Sequence, residues 1–398
     1  VNAVGTQPNA GTRLAPGFTS NKLDTNSRYL ILCNHTDPSG LVAYVHQVTG
    51  ATTFATGDAY LISNETILGS VLNREARVDH LSGNYYLLYV QNYGVAIMEI
   101  NGFVIDVGPW EPRPLGIDAV QVNTSHNLWN PVYELRNKTA TSCQVLFTRE
   151  NGGLETFTLN YNLGNMRINA DTVANSGIVQ LATQPDFREF AEIRVYEEAG
   201  GGYTVWYANS QTYMGYVIRN AANDTTLASV TSNYSTVGNN GLSAVYHNPR
   251  QGAHVFRTSD GNWSEYSEGR IANIRYNSFL TSPTFVQNYN PLYSLNYDST
   301  NEERQRDEIL ELGGDQFLQI GLGTPGNNRQ PLQIRPFVDN LDGTCTYGTV
   351  TEIVGGNFGD PEAPYRPFVH QVHRVSANQV VMFYDLEGSV TNTVLNFA

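Results

Sequence analysis

Eight histidines are spread through a chain of 398 residues, and only His370 and His373 lie close together. A three-residue spacing aligns two side chains on a helix but sends them to opposite faces of a strand. The surrounding "FVHQVHRV" reads as strand, so no shared metal site is expected there. The cysteines Cys33, Cys143 and Cys345 are far apart, with no CxxC and no Cys/His spacing of the zinc type. Neither Lys22 nor Lys138 follows a glycine, which removes the phosphate-binding GxxxxGK[ST] loop. No G-x-S-x-G elbow and no HExxH occur. "DNLDG" at 339–343 lacks the full DxDxDG pattern of a calcium loop. The motifs therefore imply no cofactor and no metal.

One stretch invites comparison with an enzyme family. "RTSDGNWSEY" at 257–266 resembles the S-x-D-x-G-x-T-W box of sialidase propellers, with Thr258, Asp260, Gly261 and Trp263 more tightly spaced. It occurs once, and "LDGTCTY" at 341–347 is a weaker relative. Both are expected at third-to-fourth-strand turns, where Asp-Gly is good turn chemistry. A sialidase also needs paired acid and nucleophile groups with an arginine cluster on the axis. Arg77, Arg194, Arg275 and Arg374 are expected near inner strands. The sequence does not bring them together, and the expectation is that the chain is not an enzyme.

The elements that would position such residues are short strands. "NYYLLYVQNYGVAIMEINGFVIDVG" packs three apolar bursts into 25 residues, separated by breaks that carry Asn and Gly. No burst is long enough for a helix, so the stretch reads as three antiparallel strands with tight turns. The composition agrees: 24 Tyr, 16 Phe, 36 Gly and 41 Asn favour strands joined by turns. A net charge of −14 argues against nucleic acid or an anionic membrane as the main partner. Only two of the 23 basic residues are lysine, a bias that suits ion pairs at contacts.

The three-strand ribbon recurs. Copies fall at 29–62, 84–108, 143–170, 201–230, 242–269 and 317–353, and a shortened one at 379–398. Further apolar segments at 77–81, 117–122, 190–196, 271–276 and 368–375 precede most copies and supply a fourth strand. Four short antiparallel strands at this period mark a β-propeller blade. The expected fold is all-β, a propeller of seven irregular four-stranded blades in one domain over 1–398. The last copy lacks its outermost strand. The N-terminal arm, 1–20, is expected to supply it through residues 12–19 and so close the ring. Residues 125–142 and 277–316 read as insertions. The charge run "NEERQRDEIL" at 301–310 could form a helical turn or two.

A rigid ring carrying varied loops points to binding. The second-to-third-strand loops are read as 34–40, 91–94, 149–153, 209–212, 247–252 and 323–330. His35, Tyr93, Arg250 and Arg329 in these loops are the candidate ligand-binding residues.

"YLILCNHTDPSGLVAYVHQVTGATTFATG" resembles blades of β-propeller domains in bacteriophage virion proteins, including tail and receptor-binding components. The resemblance implies a non-enzymatic virion appendage at the particle surface. Its partners would be neighbouring virion proteins, or a host cell-surface receptor or glycan. The alternatives are a propeller lectin and, third, a glycan-cleaving propeller enzyme of the sialidase kind.

Overall fold

The opening ribbon folds as its apolar bursts dictate. In the computed structural model its strands are Tyr85–Val90, Gly94–Asn101 and Val104–Val107. Register pairs such as Leu87 with Ile97 and Ile105 with Ile100 hold them antiparallel. Gly83 and Gly102 take positive φ at the hairpin turns, which only glycine does without strain. The structure describes residues 3–6, 18–23, 27–36, 39–49, 54–63, 76–90, 94–111, 133–149, 153–169, 179–182, 192–197, 202–208, 213–220, 226–233, 240–248, 253–259, 267–275, 284–295, 308–314, 316–322, 330–340, 345–358, 370–376, 378–386 and 389–396.

Strands are numbered along the chain from β1 (Ala3–Thr6). The first sheet is β2 (Phe18–Lys22), β3 (Arg28–Thr36), β4 (Ser39–Val48), β5 (Phe54–Thr56) and β6 (Tyr60–Ser63). The second is β7 (Ala76–Ser82) followed by the ribbon, β8 to β10. The third is β11 (Tyr133–Arg136), β12 (Ser142–Arg149), β13 (Gly153–Asn162), β14 (Arg167–Ile168) and β15 (Val179–Ala182). The fourth is β16 (Glu192–Glu197), β17 (Gly202–Ala208), β18 (Tyr213–Asn220) and β19 (Thr226–Asn233). The fifth is β20 (Asn240–Asn248), β21 (Ala253–Ser259), β22 (Ser267–Arg275) and β23 (Thr284–Leu295). The sixth is β24 (Glu308–Gly313), β25 (Gln316–Leu322), β26 (Gln330–Asp339), β27 (Cys345–Tyr347) and β28 (Thr351–Phe358). The seventh is β29 (His370–Ser376), β30 (Gln379–Leu386), β31 (Ser389–Asn396) and, outermost, β1.

The innermost strands β2, β7, β11, β16, β20, β24 and β29 follow one another around the axis, and β29 returns to β2. This is the expected β-propeller of seven sheets. In the first, third and sixth sheets the outermost strand is broken in two, both pieces pairing with the third strand.

Continuous apolar strands follow from burial on both faces. On β3, Tyr29, Ile31 and Cys33 pack towards Val381, Phe383 and Val394 of the seventh sheet. Alternate residues Leu30 and Leu32 pack towards Val78, Leu88 and Met98 of the second. The far face of the second sheet, Leu87, Tyr89 and Ile97, meets Cys143, Val145 and Leu159 of the third. The first and second sheets thus each draw their core from two neighbours.

Closure by the N-terminus occurs, but with other residues than expected. β1 pairs with β31 from Ala3 opposite Val394 to Thr6 opposite Thr391. Residues 18 and 19, the end of the expected 12–19, begin the inner strand β2; 12–17 lie outside the described residues. Three further readings shift. Residues 271–275 belong to β22, a third strand, because the fifth copy starts one strand earlier than its pattern indicates. The 301–310 run ends in strand β24, where Glu308 pairs with Ile320, while 301–307 lie outside the described residues. The 277–316 stretch holds β23 and β24, the outer strand of one sheet and the inner strand of the next. Residues 117–122 are outside the described residues, and the inner strand of the third sheet is Tyr133–Arg136.

Candidate functional site

Four antiparallel strands return the chain to the end of the ring where each sheet began. All inner strands therefore start at one end, which also carries the hairpins between second and third strands. At this hairpin end five of the seven inner strands carry an ionisable residue in their first two positions, while β2 begins with Phe18 and β20 with Asn240. Arg77 pairs with Tyr89, Glu134 with Leu146, Glu192 with Ala208, Glu308 with Ile320, and His370 with Tyr384. β11 and β16, which carry Glu134 and Glu192, are neighbours in the ring, and β24 follows after β20.

Glu134 is set by the alternation of its strand. Leu135 joins the core shared with the second sheet. Glu134 and Arg136, one residue to either side, take the opposite face, towards β16. There Arg136 is buried and Glu134 half-buried. The sequence signal for this arrangement is a tripeptide, Glu134-Leu135-Arg136, repeated as Glu192-Ile193-Arg194 and echoed in Glu308-Ile309. It is inconspicuous without knowledge of which strand lies inside.

The arginines named from the sequence separate. Arg77, Arg194 and Arg374 stand on inner strands, and Arg275 ends β22, a third strand. Of the candidate binding residues, His35 lies on β3, opposite Gly40 at the hairpin end. Tyr93, Arg250 and Arg329 lie outside the described residues. Tyr93 and Arg329 fall between second and third strands, as expected. Arg250 instead falls between β20 and β21, a first-to-second connection at the other end of the ring. The "RTSDGNWSEY" stretch also moves: its turn joins β21 to β22, a second-to-third connection. Residues 341–344 do join a third strand to a fourth, β26 to β27.

The seam between the seventh and first sheets holds two histidines. The Ser20 hydroxyl and His373 Nε2 are hydrogen-bonded at 2.7 Å across it. His46 Nδ1 lies 3.1 Å from Thr56 Oγ1, and the His46 ring meets Phe54 and Phe383. Burial pushes both imidazoles down to about 4, with the Lys22 charge adding to the effect at His373. Burial likewise pushes the Cys33 and Cys143 thiols up to about 12, so neither is a thiolate nucleophile. Among the described residues no group of three His, Cys, Asp or Glu side chains is placed to hold a metal.

No protein-family model matches the chain, and no curated protein matches it in sequence. Solved structures do resemble it. The NanB sialidase of Streptococcus pneumoniae is 10% identical over 96% of this chain and 68% of that one, with a TM-score of 0.41. The Bacteroides ovatus xyloglucan PUL GH43B is 15% identical over 70% of this chain, with a TM-score of 0.37. The present chain spans 55% of that structure's length. An α-L-arabinofuranosidase of Clostridium thermocellum is 11% identical over 71% of this chain and 94% of that one, with a TM-score of 0.35.

The expectation of a non-enzymatic virion appendage is corrected at this point. The similar structures bear the names of glycan-cleaving enzymes, and a phage or virion setting has no support among them. The cause is physical. The Gly and Thr spacing behind the virion resemblance is what any short-stranded blade needs for its turns. It carries the architecture and not the setting. Likeness at these identities is likewise one of fold alone.

Proposed function

We propose that the chain is a glycan-cleaving propeller whose reaction takes place at the hairpin end of the axis. The observation that supports this is the start of three inner strands with Glu134, Glu192 and Glu308 at that one end. Hydrolysis of a glycosidic bond needs two carboxyl groups flanking it. One gives a proton to the leaving oxygen, and the other attacks the sugar or activates water. Neighbouring inner strands are a rigid means of holding such a pair. Arg77 and Arg194 at the same end suit hydrogen bonding to sugar hydroxyls or a sugar carboxylate. His35, Tyr93 and Arg329, in or beside the loops at that end, would contact the substrate away from the scissile bond. Arg250, in a connection at the opposite end, would not.

The test is turnover by the full chain on a panel of aryl glycosides and oligosaccharides, neutral and acidic. Hydrolysis is expected for one sugar class, falling at least about a hundredfold in two of Glu134→Gln, Glu192→Gln and Glu308→Gln. Saturable glycan binding without turnover would replace this reading by a lectin. Turnover untouched by all three substitutions would remove the site.

A further inference from the structure

The seam that closes the ring is built differently from the next two. Between the first and second sheets the core is made of side chains such as Leu32, Val45 and Met98. Between the second and third it is made of others such as Leu87, Ile97 and Val145. Between the seventh and first, Tyr29, Ile31, Cys33, Tyr44, Val381 and Phe383 share the space with two imidazoles. The His373 ring lies 5.3 Å from that of Tyr29 and 6.0 Å from that of Phe383, and the His46 ring lies 5.7 Å from Phe383. One aromatic ring of the seventh sheet therefore lies beside both histidines. The Tyr44 hydroxyl and His46 Nε2 are buried there, and among the described residues neither has a hydrogen-bond partner. Their desolvation is uncompensated while the seam is shut, and water relieves it once the sheets part.

A proton on either ring deepens that cost. His46 is opposite Tyr29 of β3, follows Tyr44 on its own strand, and meets Phe54 and Thr56 of β5 and Phe383 of β30. Its Nδ1 is already bonded to Thr56 Oγ1, so an imidazolium there carries an Nε2–H with no acceptor among the described residues. His373 faces Ser20 and Lys22 of β2, Tyr29 of β3 and Phe383 of β30, and the Lys22 ammonium opposes a second positive charge. Cys33 is the further titratable group of this core among the described residues. In the shut seam both rings stay neutral down to about 4, whereas a solvated imidazole takes its proton near pH 6.5. The parted seam thus binds more protons, and acid favours it between those values. Residues 7–17 are the covalent link across the seam, from β1 on the seventh sheet to β2 in the first. A stretch of that length spans up to about 40 Å, so the sheets can separate with β1 still paired to β31.

We propose that this seam is an acid-released latch: when His46 and His373 take up protons, the first and seventh sheets part, each still folded, and the ring becomes an open arc. The latch does not depend on the role of the carboxylates at the hairpin end.

Cys33 lies in this seam and Cys143 in the seam between the second and third sheets, both buried, so the chain carries its own reporter and control. The experiment is labelling of the full chain with dithiodipyridine, a disulfide that exchanges with thiols in acid, at pH 7 and pH 5. Rates at each cysteine are resolved by peptide mass spectrometry and divided by those of the urea-unfolded chain at the same pH. Normalised Cys33 labelling is expected to rise from pH 7 to pH 5 by about 20-fold for each histidine that titrates, with Cys143 unchanged. His46→Gln and His373→Gln should each remove about 20-fold of that rise, and the double variant all of it, with the β circular-dichroism signal intact. Where a variant does not fold, the contrast between Cys33 and Cys143 in the native chain decides alone. Cys33 and Cys143 rising together would mean global unfolding and overturn the latch. A Cys33 rate that ignores pH, or a rise that survives in the double variant, overturns it as well.

Discussion

Single side chains at the seam make this protein sensitive to acid. His46 and His373 are held neutral, at about 4, while an unfolded histidine takes up its proton near pH 6.5. Between those values the unfolded chain binds more protons than the folded one, so stability falls as pH falls. It is fully present above about pH 6.5, and below about pH 4 this pair causes no further change. The unfolding free energy from urea titration should fall between pH 7 and pH 4.5, by on the order of 2 kcal/mol or more for His46 alone, with the midpoint moving down accordingly. A midpoint that stays flat across that window would refute the assignment. His46 also shows what the sequence concealed. It sits in a polar-looking "YVHQVTG", yet it is 3% exposed because the seventh sheet covers it. Only the closure of the ring supplies that cover, and local sequence does not encode it.

One further hydrogen bond closes the outer strand in four sheets, broken in the first, third and sixth and unbroken in the second. The N–H of Gly57 donates to Val45, that of Gly108 to Ile97 and that of Gly348 to Pro336, each one residue past the last paired position. Asn169 does the same to Asn160 in the third sheet. Two of these glycines receive the next sheet's third-to-fourth-strand turn: Phe103 packs on Gly57, and Met166 on Gly108. A Cβ on Gly108 would overlap the Met166 carbonyl, which is backbone and cannot swing aside. On Gly57 it would meet the Phe103 Cβ at 3.0 Å and the Phe103 carbonyl oxygen at 3.2 Å, a tight fit but short of the overlap at Gly108. Gly108→Ala should therefore destabilise by about 2–3 kcal/mol and Gly57→Ala by less. Equal denaturant midpoints for the two variants would argue against the docking. Of these glycines only Gly108 ends a ribbon copy as read from the sequence; Gly57 and Gly348 lie inside the copies at 29–62 and 317–353. The ribbons themselves were legible because Asn-Gly turns and dense apolar bursts mark them. The inner strands were harder to read, being as short as Tyr133–Arg136 and mixing charge with apolar residues. Missing the first strand of one copy shifts the count by one and sends its loop to the other end of the ring. That is what happened to Arg250. The Glu134, Glu192 and Glu308 arrangement was hidden for the same reason: a glutamate two residues before an arginine has no meaning until its strand is known to line the axis.

The whole ring depends on a strand that is remote in sequence. β1 covers the edge of β31, and without it the seventh sheet would end in unpaired backbone groups. Removing residues 1–6 should lower the thermal midpoint and promote self-association, measured by calorimetry and light scattering. A truncated chain that stayed as stable and as monomeric as the full one would show that the pairing is dispensable. Each described seam buries large side chains from both sheets, with Tyr29 against Phe383 at 5.2 Å between ring centres as one example. Loss at the edge of the seventh sheet therefore weakens its contact with the first.

Ala3 and Val394 are partners across almost the entire length of the chain. On a ribosome adding ~5–20 residues each second, the first of the two emerges roughly 20–80 s before the second exists. During that interval the opening strand has no mate, and the growing assembly is an open arc with one bare face at each end. The first sheet's Tyr29, Ile31 and Tyr44 must wait, wet, for the last sheet to be made. Synthesis, and not only thermodynamics, therefore sets when this molecule becomes resistant to proteases and to its own copies.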